Sequence, residues 1–97
     1  GQYLPANTTV NLGLAGERGI PANAKAVSLN VTIVKPTANG TITVWGCGTE
    51  PNIDSITYVI NKTVANGIQV KVSATGEICV RSTVATHLVI DVTGWWN

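Results

Sequence analysis

Three tryptophans carry the most distinctive chemistry in this chain, because an indole face either stacks on the C–H groups of a sugar ring or fills a core. Trp45 is followed by Gly46-Cys47-Gly48-Thr49-Glu50-Pro51-Asn52, whose glycines permit a loop and whose Glu50 and Asn52, with Asp54 just beyond, offer hydrogen-bond acceptors. Ile42 and Val44 claim the inward face of the preceding strand, so alternation turns Trp45 outward with Thr41 and Thr43. A stacked ring on Trp45, held through its hydroxyls by Glu50, Asn52 or Asp54, is the leading candidate site. The competing explanation is a tryptophan that packs under a loop. Trp95 and Trp96 end the last strand and point to opposite sides if it continues, so one is expected as a platform and the other as a plug.

The acid–base candidates are weaker. His87 and Asp91 lie four residues apart in one apolar strand, which separates their α-carbons by roughly 13 Å, too far for a hydrogen-bonded acid and base to cooperate. No serine sits in a nucleophile-elbow context. Paired carboxylates for glycoside cleavage would need two of Glu50, Asp54, Glu77 and Asp91 facing one cleft. The sequence reads as that of a protein that is not an enzyme. No cofactor is expected; calcium held by Glu50, Asp54 and loop carbonyls is the alternative, without an aspartate-rich loop to support it.

The 97 residues make one domain, 1–97, and its small size favours a covalent staple. Val, Ile, Thr, Asn and Gly dominate, while Phe and Met are absent, which is β composition. A formal charge of +1, from charges scattered singly, gives no stripe to follow a phosphate backbone, so nucleic acid is not an expected partner. Apolar runs of a few residues span no membrane. A chain opening on Gly1 rather than Met reads as a piece excised from a larger exported protein whose signal has gone. Cys47 and Cys79 read as one disulfide, since two cysteines and one histidine leave a zinc site short of a ligand. A disulfide implies a secreted, extracellular home.

Strands follow from alternation. Thr8–Leu14 places Val10, Leu12 and Leu14 on one face; Lys25–Val34 does the same with Val27, Leu29, Val31 and Ile33. Thr41–Gly46, then Ile53–Ile60 with Ile56, Tyr58 and Ile60 inward, then Thr63–Val72 with Ile68, Val70 and Val72 inward, continue the series. Ala65-Asn66-Gly67 suggests a bulge or bend. Glu77–Ser82 and a closing strand through Thr86–Trp96 complete it, the last expected to be central and covered on both sides. Gly1–Asn7 reads as a lead-in outside the strands, with Leu4-Pro5-Ala6-Asn7 too irregular to pair. About seven or eight short strands and no helical period predict an all-β, antiparallel β-sandwich with a jelly-roll-like Greek key.

Read together, Gly19-Ile20-Pro21-Ala22-Asn23-Ala24, Ala26-Val27-Ser28-Leu29-Asn30-Val31-Thr32, Lys35-Pro36-Thr37-Ala38-Asn39-Gly40, Thr43-Val44-Trp45-Gly46-Cys47-Gly48 and the segment from Thr86 to Trp95 resemble an accessory domain of actinobacterial secreted and cell-wall-associated proteins. The resemblance covers nearly the whole chain. It implies a lectin or carbohydrate-binding module whose partner is a glycan or polysaccharide; the chemistry of stacking indoles points to neutral sugars, with Trp45, Glu50, Asn52, Asp54, Trp95 and Trp96 as the site residues it suggests and with Gln69, Arg81, Asp91, Tyr3 and Tyr58 as further polar or aromatic groups. The Arg-Leu-Leu-Asp-Thr-Arg-like strand usual before these segments in that family is absent here; if that strand contributes to a site or closes a sheet edge, an isolated chain must manage without it, by pairing with a second copy or a tandem neighbour. The alternative function is a structural spacer or protein adhesion module. If the cysteines are bridged, alkylation under denaturing conditions without reductant adds no mass, and reduction costs about 3–4 kcal/mol of stability by freeing a loop of about 33 residues.

Overall fold

The computed structural model describes residues 2–16, 19–48 and 55–97. Eight strands run β1 (Gln2–Leu4), β2 (Val10–Gly13), β3 (Ala26–Val34), β4 (Gly40–Gly46), β5 (Ser55–Tyr58), β6 (Val64–Lys71), β7 (Glu77–Ser82) and β8 (Thr86–Trp96), with no helix among the described residues. They form two four-stranded antiparallel sheets, ordered β1-β8-β3-β6 and β2-β7-β4-β5. The pairs nest: β1 with β8, β2 with β7, β3 with β6 and β4 with β5. Of the links between consecutive strands, only that from β4 to β5 stays within one sheet.

The alternation in β3 explains why the sheets share one core. Val27, Leu29, Val31 and Ile33 are each 0% exposed and meet Ile42, Val44, Ile78 and Val80 of the other sheet in a single cluster of buried residues. Burial of this apolar surface is the main favourable term in folding. Tyr58 belongs to the same cluster. Its hydroxyl lies 2.6 Å from Ser82 Oγ, and Ser82 donates to the Val84 carbonyl at 2.7 Å, so the buried phenol is satisfied. Cys47 and Cys79 are bridged, with Cα atoms 5.1 Å apart, tying the end of β4 to β7.

Four expectations need correction. Gln2–Leu4 does pair, against Thr86–Leu88 of β8, and Leu4 is buried; three residues are too few to display a period. Ile60 is exposed rather than inward, because β5 ends at Tyr58 and the chain turns there. Ala65-Asn66-Gly67 pairs without a break against Asn30–Thr32, so no bulge forms in β6. The irregularity falls instead in β8, where Gly94 faces Ser28 and Val92 faces Leu29, leaving Thr93 as the extra residue. β8 is central in its sheet as expected, but His87 and Asp91 are exposed, so only one of its faces is covered.

Gly46, at the end of β4, lies close against the end of β6 in the other sheet. A Cβ there would stand 2.5 Å from the Lys71 carbonyl oxygen and 3.2 Å from Ser73 N, both backbone atoms with little freedom to move. Gly46→Ala is expected to cost about 3 kcal/mol, the upper end of the usual overpacking range, measured by urea unfolding.

Candidate functional site

The two sheets present different outer faces. On the β2-β7-β4-β5 sheet, Asn11, Cys79 and Trp45 lie in one row across β2, β7 and β4. Trp45 turns away from the core, as alternation predicts. It is nevertheless only 9% exposed, and Cys79 beside it 5%, although neither belongs to the main core cluster. Period reveals which face a residue takes and says nothing of what covers that face. The expectation of an exposed platform at Trp45 is therefore corrected: the side chain is largely covered in this arrangement. Glu50, Asn52 and Asp54, expected beside it, lie outside the described residues. Arg81 shares this side, paired with Thr43.

The outer face of the β1-β8-β3-β6 sheet is open and polar. Register sets its rows: Trp96, Ala26 and Lys71 in one, Gly94, Ser28 and Gln69 in the next, Asp91, Asn30 and Gly67 in a third. Thr93 Oγ1 donates to Ser28 Oγ at 2.8 Å and anchors the bulge on this side. The bulge decides where the two terminal indoles go. Strict alternation from the core-facing Val92 would send Trp95 outward and Trp96 inward; the extra residue reverses this, so Trp95 pairs with the buried Val27 and Trp96 with the outer Ala26. A glycine after a threonine inside a strand is the available signal for that shift. Trp95 is 45% exposed despite its inward register, so it plugs nothing, and Trp96 is 47% exposed.

Trp96 lines a groove of about 620 Å³ together with Asn23, Lys25, Lys71, Ser73 and Asn97. Backbone bonds order it: Lys25 N–H donates to the Trp96 carbonyl at 2.7 Å, and Val72 N–H donates to the Lys25 carbonyl at 3.0 Å. Lys25 is thereby pinned between the ends of β8 and β6. At the far end of the same face Tyr3, 55% exposed, stands against His87 with ring centroids 5.1 Å apart. Of the residues singled out from sequence, the structure brings Trp96, Gln69, Asp91, His87 and Tyr3 to one face and leaves Trp45 and Arg81 on the other.

No family model, curated protein or solved structure matches the chain. Among the described residues no three His, Cys, Asp or Glu side chains gather as a metal site, and no helix is long and apolar enough to cross a membrane.

Trp45 and Trp96 should respond oppositely to truncation. Trp45→Ala is expected to cost about 3–5 kcal/mol, as buried aromatic truncations do, while Trp96→Ala stays within about 0.5 kcal/mol; chemical denaturation of both variants measures the contrast.

Proposed function

We propose that the chain is a non-catalytic carbohydrate-binding module or lectin domain with Trp96 as its stacking platform. The observation that carries this reading is a half-exposed indole beside a groove edged by amide, hydroxyl and ammonium groups. An aromatic face with convergent polar donors suits a ring that is apolar on its C–H face and polar around its rim. The nested strand pairs support treating the two sheets as a jelly-roll sandwich, an architecture that includes lectin domains, as the resemblance to actinobacterial accessory domains also implies. Fold alone assigns no function; the groove is what supports this reading. The Cys47–Cys79 bridge fits a secreted protein. His87, whose ring packs on Tyr3, and Asp91, opposite Asn30, fit the non-catalytic reading because they lie roughly 13 Å apart along one strand.

A second reading, the spacer or adhesion module, draws on β6. This strand is eight residues long, pairs among the described residues with β3 alone, and has neither proline nor bulge to blunt its other edge. Sedimentation velocity separates the two: a stable self-associated species that binds no polysaccharide favours the spacer.

Affinity electrophoresis through gels containing single polysaccharides tests the first reading. Native protein should be retarded by at least one polymer, and Trp96→Ala should lose about 2–4 kcal/mol of binding, the cost of removing a central aromatic anchor. Unretarded native protein, or a Trp96→Ala variant retarded as strongly as the native chain, would sink it.

A further inference from the structure

We infer that the Trp96 groove selects an acidic sugar, a pyranose bearing a carboxylate or sulfate group, over a neutral one. The inference rests on the reading of Trp96 as a platform and adds the charge of the ligand to it.

Three features of the groove converge. Its described lining contains two cationic side chains, Lys25 and Lys71, and no carboxylate side chain. Both lysines are exposed. Of the acidic groups on these elements, Glu77 borders the groove, its backbone N–H donating to Ser73 Oγ at 3.0 Å and its carboxylate accepting from Thr75 Oγ1 at 2.8 Å, while Asp91 lies two rows away along the outer face. An anion in the groove therefore meets two ammonium groups, with the Glu77 carboxylate held by Thr75 at the margin.

Register supplies the second feature. Trp96, Ala26 and Lys71 occupy adjacent strands in one row, so the indole-bearing and ammonium-bearing backbones stand roughly 10 Å apart, two inter-strand spacings, with only a methyl group between. A sugar ring lying on the indole extends its exocyclic anion across Ala26 toward the Lys71 ammonium. The small residue keeps that path clear.

The third feature is order. The backbone of Lys25 is hydrogen-bonded on both sides, to Trp96 and to Val72, so the second lysine springs from an ordered point on the rim rather than from a free loop. A lysine acts here as a compact point charge with rotatable donors, which suits either anion; the geometry demands a negative group at one edge of a stacked ring and leaves its chemical identity to the ligand. Such pairing is screened by salt, so selectivity should fall as ionic strength rises.

The test compares polymers that differ only in charge: polygalacturonate against its fully methyl-esterified form, and dextran sulfate against dextran, by affinity electrophoresis at low salt, with poly-glutamate as a non-sugar polyanion. Native protein is expected to bind at least one acidic polysaccharide tenfold or more tightly than its neutral counterpart. A Lys25→Gln, Lys71→Gln double variant with an unchanged thermal midpoint should lose that preference, and Trp96→Ala should lose binding to both members of the pair. Retention by polygalacturonate or by dextran sulfate then tells carboxylate from sulfate. Equal binding of a neutral counterpart, unchanged in the double lysine variant but lost in Trp96→Ala, overturns the acidic ligand and leaves the platform standing. Poly-glutamate bound as tightly as any polysaccharide, with Trp96→Ala indifferent, overturns it in favour of a simple charged surface. Binding to none of the sugars overturns both.

Discussion

The register of β3 governs most of this molecule. Its inward side chains Val27, Leu29, Val31 and Ile33 are fully buried, and a slip of one residue would carry all four to solvent, so the strand has one acceptable alignment. β3 also pairs on both edges, with β6 and with β8. Whatever fixes the core therefore fixes the opposite face as well: the alignment that buries Val27 is the one that sets Ala26 between Trp96 and Lys71. The groove's geometry is a by-product of core packing, and for that reason it needs no dedicated scaffold.

The two outer faces divide the chain's chemistry. On one, Trp45 lies in register with a half-cystine and both are buried, an arrangement that adds apolar surface and a covalent tie to the same spot. On the other, small and polar residues such as Ala26, Ser28, Asn30 and Gly94 keep the surface low and hydrated. A sheet covered on both faces gains stability and gives up an open surface; this chain covers one sheet's outer face at Trp45 and leaves the other sheet's outer face open.

What could be read from sequence tracks the length of the pattern. β3, β4, β7 and β8 were legible to within a residue or so because six or more positions alternate without interruption. Tyr58 was legible as core for the same reason. β1 was not, since three residues carry no period and its pairing partner lies more than eighty positions away. The face of Trp45 was correct and its exposure was not, because cover comes from tertiary structure. The choice between Trp95 and Trp96 hung on Thr93, a single unpaired residue that alternation has no means of detecting. The Trp96 groove was invisible for a related reason: Lys25, Lys71 and Trp96 are brought together only by two ladders of register.

The last strand of the eight is an interior one. β8 lies between β1, the first strand, and β3, so as the chain is synthesised β1 and one edge of β3 stay unpaired until β8 has emerged. Until then the sheet stays open along β1 and along one side of β3, and an open edge is a template for pairing with another chain. Closure of this sheet is thus committed late, with most contacts long in sequence, which favours slow folding.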